Sequence, residues 1–374
     1  MTDCFNDFTS HMEKMKNSMG YSEDEDNTPI APLSFVLNSA RVLNVLQGEV
    51  AHCTPRQQDE ILSTDATTCH IVAVWSSSQK GVLCSLCHVD CCGEGTQRGL
   101  DEMMDVHESY HWEESESVRA EAHITGGYDD GDEGGTSDGI GEFVLRWMND
   151  WVSGGSDVAG RRRRRIILTL RTCRIGKGNT RDRRPIARGL ILNTLSGNAR
   201  LLTERHHLDG WHLGPALSLR GCRSYSPYDS SGSMVERMWS IHPPGDDGGV
   251  IFIEPYRLCY NEMFLMLLTI ENDDLLTTYT STSPKVEKSN FVSNVRECLH
   301  YLVKNGEKID GEHILERKDK VDIFDGGSRW IVYKRLEYSE ERCLNNGNGI
   351  DNGWCRVQWN TEEYQYLTEK YKKN

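Results

Sequence analysis

Short runs of β-branched and apolar residues, separated by polar or glycine-containing segments, recur along the chain. Such runs, and the alternation of charged and apolar residues at 119–124, are typical of strands buried on one or both faces. Apolar residues spaced three and four apart at 143–151 and 291–303 predict amphipathic helices, and a third helix is predicted at 100–110. The predicted strands are 70–75, 82–88, 119–124, 166–170, 185–193 and 250–253. This mixture predicts an α+β fold in which helices cover mixed and antiparallel sheets.

The first two predicted strands flank the polar segment 76–81 and therefore predict a β-hairpin. If Trp75 pairs with Val82 across that loop, the antiparallel register places Cys69 opposite His88 on one face of the sheet. Directly opposed residues have Cβ atoms about 5 Å apart. The pattern thus predicts that a thiol and an imidazole meet.

A cysteine beside a histidine is the minimum equipment of a thiol amidohydrolase. The thiolate is the nucleophile, and the imidazole of His88 takes the proton of Cys69 and returns it to the leaving amine. A third group must orient the ring, and Ser63 and Asp90 are the nearest polar candidates in the sequence. The backbone N–H groups around Thr68 and Cys69 are candidate oxyanion donors. The alternative is structural, because a buried cysteine at a strand start often acts as a small hydrophobe.

Composition restricts the class of protein. The chain has 374 residues, 37% of them hydrophobic, which is long enough for one large domain or two smaller ones. No apolar run approaches the roughly 20 residues of a membrane span, and residues 1–20 lack the apolar block of a signal peptide, so we expect a cytoplasmic, possibly also nuclear, protein. Its 13 cysteines are then expected to be mostly reduced thiols. A net charge of −15 does not favour a membrane or nucleic-acid partner.

Charge is distributed unevenly along the chain. Residues 1–28 are predicted to form a disordered acidic tail, and residues 129–165 a polar insertion that is first rich in Gly and Asp and then in Arg. The run Arg161 to Arg165 has two interpretations: a nucleic-acid or nuclear-import patch, or a solvated loop before the strand at 166–170. The second is preferred, because the aromatic residues that usually accompany single-strand binding are absent.

Three motifs compete with the thiol interpretation. His107 and His111 match the HExxH pattern of zinc proteases, although the surrounding positions are polar. Residues 84–88 match the CxxCH pattern of haem attachment, and Cys84, Cys87, Cys91 and Cys92 form a possible zinc set. Cys84 and Cys87 would point to opposite faces of a strand, which disfavours a shared metal.

Several segments resemble the eukaryotic protein N-terminal asparagine amidohydrolases and occur in that family's order. They are 47–51 (QGEVA), 63–70 (STDATTCH), 88–90 (HVD), 123–128 (HITGGY), 185–193, 253–256 (IEPY), 281–284 (STSP) and 291–292 (FV). The wider similarity is to bacterial chemotaxis-receptor glutamine deamidases and toxin deamidases. The chain departs from the family in its extended acidic N-terminus, in residues 129–165 and beyond Tyr338.

The resemblance implies a single catalytic domain over residues 29–374 with the α-β-β sandwich of thiol deamidases. It implies that Cys69 is the nucleophile and His88 the acid and base, with Ser63 as the hydroxyl residue of the site. The reaction would convert an N-terminal asparagine of a protein or peptide to aspartate with no cofactor. The product would then enter the N-degron pathway through arginyl transfer. The protein is expected to be a monomer.

Substrate contacts are predicted less directly. Glu49, Asp65 or Asp90 would neutralise the α-ammonium group, although each is equally interpretable as a turn or capping residue. Thr68 and Ser281 are expected to line the pocket, and residues 281–284 are also typical of a helix-entry turn. Two other functions remain open: a non-catalytic protein of this fold that recognises protein termini or nucleic acid, and a glutamine-directed deamidase.

Overall fold

A computed structural model of the protein describes most of the chain. The described residues are 13–22, 27–32, 41–112, 117–129, 136–153, 166–206, 214, 216–225, 238–244, 249–310, 313–316, 330–335, 350–351, 353–358 and 361–371.

Strands account for much of this described part. They are β1 (Val42–Asn44), β2 (Glu49–Cys53), β3 (Glu60–Ser63), β4 (His70–Ser78), β5 (Gly81–Val89), β6 (Val118–Gly126), β7 (Ile166–Ile175), β8 (Thr180–Arg181), β9 (Arg184–Pro185), β10 (Gly189–Asn193), β11 (Ala199–Leu202), β12 (Trp239–His242), β13 (Val250–Ile253), β14 (Cys259–Tyr260), β15 (Glu307–Asp310), β16 (His313–Glu316), β17 (Ile331–Arg335), β18 (Ile350–Asp351) and β19 (Trp354–Arg356).

Helices lie between these strands. They are α1 (Glu94–Tyr110), α2 (Thr136–Val152), α3 (Leu217–Gly221), α4 (Glu262–Leu268), α5 (Asp273–Thr280), α6 (Phe291–Asn305) and α7 (Glu362–Tyr371). Short 3-10 turns follow β7, α3 and α5, at Gly176–Asn179, Cys222–Ser224 and Pro284–Val286.

Two sheets organise the molecule. The larger has ten strands in the order β18-β19-β17-β13-β12-β2-β5-β4-β6-β7, and the smaller has four in the order β1-β3-β10-β11. Most neighbouring strands are antiparallel, whereas β2 with β12, β6 with β7 and β1 with β3 are parallel. The predicted combination of mixed and antiparallel sheets with helices is therefore confirmed. The specific thiol-deamidase sandwich stays a prediction.

The two faces of the large sheet bury different partners. On one face Val72, Val74 and Cys87 pack with apolar residues of α1 and α2, such as Met103 and Val144. On the opposite face Ile71, Ala73 and Leu86 pack with residues of the small sheet, such as Ile61 and Leu190, and with α6. This alternation follows from the two-residue period of a strand. Helices α1 and α2, the large sheet, and the small sheet together with α6 therefore form three successive layers.

Most of the predicted elements recur, several with longer boundaries and β13 with the predicted ones. The three predicted helices are α1, α2 and α6, and the strands at 119–124, 166–170 and 250–253 are β6, β7 and β13. The segment 185–193 is not one strand, because Ile186, Ala187 and Arg188 separate β9 from β10. The side chain of Asn179 donates a hydrogen bond to the C=O of Ala187 and accepts one from its N–H. These two backbone groups are therefore bonded to a side chain rather than to a neighbouring strand.

The hairpin register differs from the prediction by two residues. Ser78 pairs directly with Gly81 around a two-residue turn, so Trp75 lies opposite Cys84 and Ile71 opposite His88. The predicted pairing of Cys69 with His88 is therefore wrong. A shift of two leaves every side chain on its predicted face, because the side-chain period of a strand is also two.

Two predicted polar segments contain ordered elements. Within 1–28, Met15, Met19 and Tyr21 are buried in the core beneath α2 and β7, so residues 13–22 do not form the disordered tail predicted for them. Within 129–165, α2 begins at Thr136, while 130–135 and 154–165, with the arginine run, lie outside the described residues. Across the described part of the chain, no helix combines the length and apolarity needed to cross a membrane.

Candidate active site

The backbone at Cys69 is held by a glycine turn at the end of β6. The Cys69 carbonyl accepts a hydrogen bond from the N–H of Gly127 (2.9 Å), and His70 pairs with Gly126 at the start of β4. Gly126 has φ 114° and Gly127 has φ 61°, conformations that favour glycine. A Cβ atom on Gly126 would also overlap the Cys69 carbonyl oxygen. The HITGGY segment thus fixes where Cys69 lies.

Cys69 and His88 line one cavity of about 340 Å³. His88 is on β5 opposite Ile71, and Cys69 lies two residues before Ile71, just ahead of β4. Residues two apart on an extended strand share a face, so the thiol and the imidazole meet the cavity from the same side of the large sheet. The hairpin therefore brings the two groups together diagonally.

Ser63, at the end of β3 in the small sheet, determines the tautomer of His88. Its Oγ lies 2.5 Å from the carbonyl oxygen of Val45 and 2.9 Å from His88 Nδ1. A carbonyl oxygen only accepts, so the serine proton points to Val45 and the serine oxygen accepts Nδ1–H. The lone pair is then on Nε2, which is buried and has no hydrogen-bond partner among the described residues. His88 thus offers an unused proton acceptor.

Burial keeps both groups neutral. It lowers the pKa of His88 to about 4, against the opposing influence of the Asp90, Asp65 and Glu49 carboxylates. It also raises the pKa of the Cys69 thiol, and the charge of Asp90 acts in the same direction. The resting pair at neutral pH is therefore thiol and imidazole rather than thiolate and imidazolium. Such a pair fits proton transfer during nucleophilic attack.

Comparison with known protein families adds independent evidence. A family model described as protein N-terminal asparagine amidohydrolase matches residues 34–320, more than three quarters of the chain. The chain belongs to this family. No match was found among the curated proteins. The matched region contains Cys69, His88 and Ser63, so the family assignment and the cavity concern the same part of the amidohydrolase.

Three of the predicted substrate-binding residues line the cavity of this amidohydrolase. Thr68 Oγ1 is 2.7 Å from the hydroxyl of Thr282. Asp65 forms an ion pair with Lys288 at the rim, and its side chain is 58% exposed. Ser281 donates its hydroxyl proton to the carboxylate of Glu287. The segment after α5 thus closes the cavity opposite the hairpin.

Glu49 and Asp90 are not among the cavity-lining residues. Glu49 is fully buried, and its carboxylate is bonded by Arg220 (2.9 and 2.7 Å), Arg223 (3.1 Å) and the N–H of Leu46 (2.9 Å). These bonds tie β2 to α3, through Arg220, and to the turn that follows it, through Arg223, which leads to the cavity-lining Tyr225. Asp90 accepts a hydrogen bond from the Gln47 side chain (3.1 Å). Glu49 is therefore placed to support a wall of the site rather than to contact a ligand.

Several cavity residues were not predicted as site residues. Arg188, Glu287, Lys288 and Cys298 all line the cavity, and each comes from a segment far from Cys69 in the sequence. Hydrogen bonding from Cys222 lowers the pKa of the Cys298 thiol. No sequence spacing relative to Cys69 identifies these residues as site residues, because only tertiary packing brings their segments to the cavity. Cys298 is thus a second cavity thiol with which Cys69 must be compared.

The HExxH histidines of the amidohydrolase belong to a buried hydrogen-bond network. His107 is bonded to Ser76 (2.6 Å) and Ser85 (2.8 Å), and His111 to Ser76 and Ser78 (both 2.8 Å). Both histidines are buried although the neighbouring positions in the sequence are polar. All four ring nitrogens are nevertheless occupied by hydroxyls, so α1 uses them to attach to the hairpin.

The cysteine motifs are divided by the sheet. Cys84 packs on the face toward the small sheet and Cys87 on the face toward α1, which confirms their predicted opposite orientation. His88, the last residue of the CxxCH string, bonds Ser63 instead. Within the residues that the structure describes, no group of three or more His, Cys, Asp or Glu side chains is arranged to hold a metal ion.

Proposed function

We propose that the protein deamidates N-terminal asparagine residues through a thioester on Cys69. The observation that carries this proposal is the buried, unpartnered Nε2 of His88, a residue that is bonded to Ser63 and lines the same cavity as Cys69. A structural cysteine would need no such acceptor. Membership of the amidohydrolase family supports the same reaction.

In the first step the Cys69 proton passes to His88 Nε2 as the sulfur attacks the side-chain carbonyl carbon of asparagine. The resulting oxyanion needs donors, and the N–H groups of Thr68 and Cys69 bond no backbone carbonyl among the described residues. His88 then gives its proton to the amide nitrogen, the C–N bond breaks and ammonia leaves. A thioester remains on Cys69.

In the second step His88 takes a proton from water as the oxygen attacks the thioester carbonyl. The C–S bond breaks, and His88 returns the proton to the Cys69 sulfur. The product carries an N-terminal aspartate. We propose that it enters the N-degron pathway in the cytoplasm or nucleus, and that the substrates are proteins or peptides whose first residue is asparagine.

The test compares the two cavity thiols. Wild-type protein, Cys69→Ala and Cys298→Ala are incubated with peptides that begin with Asn or Gln or that contain only an internal Asn. We expect ammonia release and a one-dalton mass gain for the N-terminal Asn peptide, lost at least ~1,000-fold in Cys69→Ala and largely kept in Cys298→Ala.

Three results would contradict the proposal. Activity that survives Cys69→Ala would exclude this thiol as the nucleophile, and loss confined to Cys298→Ala would transfer the role. Preference for the Gln peptide would reassign the substrate. Salt-sensitive binding to nucleic acid or protein termini with no ammonia release would favour the non-catalytic alternative.

A further inference from the structure

The cavity contains an acceptor for a positive charge that the reaction chemistry does not use. Among the described residues that line it, only Asp65 and Glu287 carry carboxylates. Asp65 is paired with Lys288 at the exposed rim. Arg188, the other cation of the wall, contacts the Val286 carbonyl (2.5 Å) and Glu204 (3.6 Å). Both cations thus form their ion pairs with other carboxylates, and Glu287 feels them only at longer range: their charges lower its pKa against the larger, opposing effect of burial.

Glu287 is held by one of its two oxygens. Ser281 Oγ accepts a hydrogen bond from the N–H of Ser283 (2.9 Å), so its own proton points to Glu287 Oε1. The second oxygen, Oε2, accepts no hydrogen bond from a described residue. Ser281 thus anchors the carboxylate by one oxygen and leaves the other available to a ligand.

The position of Glu287 suits a group close to the reacting carbon. Its charge reaches the Cys69 sulfur and contributes to the raised pKa of that thiol, after the larger effects of burial and Asp90. In asparagine the α-nitrogen lies only about 3–4 Å from the side-chain carbonyl carbon, because two carbon atoms separate them. A substrate whose carboxamide meets Cys69 therefore carries its α-nitrogen in the neighbourhood of Glu287.

We infer that Glu287, anchored by Ser281, binds the α-ammonium group of the first residue of the substrate and so restricts the site to N-terminal asparagine. This inference rests on the deamidase function proposed above. An internal asparagine offers a neutral amide at this position and leaves the carboxylate desolvated without a partner. The expected penalty is the loss of a charge-assisted hydrogen bond.

The test is a thermodynamic cycle that removes the α-ammonium charge from the peptide and the carboxylate charge from Glu287, singly and together. Binding is measured by calorimetry in a Cys69→Ala background, so that no turnover occurs. One peptide begins with asparagine, and the matched peptide begins with a succinamoyl group, which is asparagine with hydrogen in place of the α-ammonium. We expect loss of the ammonium to weaken binding ~10- to 100-fold in Cys69→Ala but less than about threefold in Cys69→Ala/Glu287→Gln.

Two further variants serve as controls. Asp65→Asn in the same background removes the other cavity carboxylate and should leave the full ammonium preference. Glu287→Asp keeps the charge and should keep part of the preference, so it reports on the inference even if the glutamine variant folds poorly. Equal losses with and without the Glu287 carboxylate, or a preference that disappears with Asp65→Asn, would overturn the assignment.

Ammonia release by the wild-type protein separates this inference from the catalytic proposal. Release without any effect of Glu287 would refute the amine site and leave the deamidase function standing. An ammonium preference that depends on Glu287, without ammonia release by wild type, would support recognition of N-termini and refute the thioester mechanism.

Discussion

At the scale of the residue, the central feature is the division of His88 into two unlike nitrogens. Nδ1–H is bonded to Ser63, whereas Nε2 is buried and unused by the described residues. The imidazole stays neutral because burial lowers its pKa to about 4. Ser63 therefore acts as a positioning residue, since its effect on the thiol is exerted through the ring.

Replacing Ser63 by alanine removes the acceptor of Nδ1–H. We expect kcat for ammonia release to fall ~10- to 100-fold with little change in KM, because the ring then populates the other tautomer and other rotations. Nitrogen-15 NMR of His88 should show the proton moving partly to Nε2. A merely structural role for Ser63 would leave that spectrum unchanged.

The control for Ser63→Ala is Thr194→Val. Thr194 is also fully buried and donates to a backbone carbonyl, that of Gln58 (2.6 Å), but it does not line the cavity. Both variants should lose about 1–2 kcal/mol of stability, and only Ser63→Ala should lose turnover. Similar turnover in the two variants would show that Ser63 does not act through His88.

At the scale of the element, the hairpin and the glycine turn jointly place Cys69. The polar residues at the end of β4 predict a loop, but Ser76 and Ser78 remain in the strand, where His107 of α1 and His111, the residue after α1, bond their hydroxyls. Tertiary hydrogen bonds thus offset the polarity of these positions and lengthen the strand. The backbone of Cys69 is fixed from the other side by Gly126 and Gly127.

Gly126→Ala should disturb this arrangement. The added Cβ would overlap the Cys69 carbonyl, and φ 114° strains any other residue. We expect a loss of at least about 2 kcal/mol in the free energy of unfolding and a fall in kcat that exceeds the loss of folded protein. Urea denaturation and ammonia release measure the two effects.

Gly139→Ala is the matched control for that substitution. Gly139 lies inside α2, and a Cβ there would meet no atom within 4 Å. Alanine is the better helix former by about 0.5–1 kcal/mol, so this variant should be slightly more stable and fully active. Equal stability of the two variants would show that the Gly126 turn is not strained by a side chain.

At the scale of the whole molecule, buried neutral histidines make the fold sensitive to acid. Burial lowers the pKa of His70 to about 3 and of His88 to about 4, and it lowers that of His107 well below the ordinary value. The unfolded chain binds protons at these residues from about pH 6.5 downward, whereas the folded protein does not. The contribution of these neutral histidines to the free energy of unfolding is therefore fully present above that pH and is lost as the pH drops toward 4.

We expect the free energy of unfolding to decrease between pH 7.5 and pH 5 by about 2 kcal/mol each for His70 and His88, and to decrease further through His107. Urea denaturation at several pH values measures the change. Proton NMR of the native protein supplies the control, because the ring signals of these histidines should not titrate in this range. A free energy of unfolding independent of pH would show that the imidazoles are protonated in the folded state.

Much of the fold is predictable because it depends on local periodicity. The spacing of apolar residues predicts α1, α2 and α6, and strand alternation predicts β6, β7 and β13. The hairpin register was wrong by two residues, yet its parity still placed Cys69 and His88 on one face. The face on which each side chain lies survives an error of two residues, because it depends only on the two-residue period of a strand.

The sequence by itself determined the elements, the shared face of Cys69 and His88, and the family to which the chain belongs. Only the tertiary structure decided the partners of charged and polar groups. It joined Ser63 to His88, enclosed Glu49 between Arg220 and Arg223, and brought Glu287 into the cavity. These contacts join segments that are distant along the chain, where no local pattern of residues specifies which polar group will meet which.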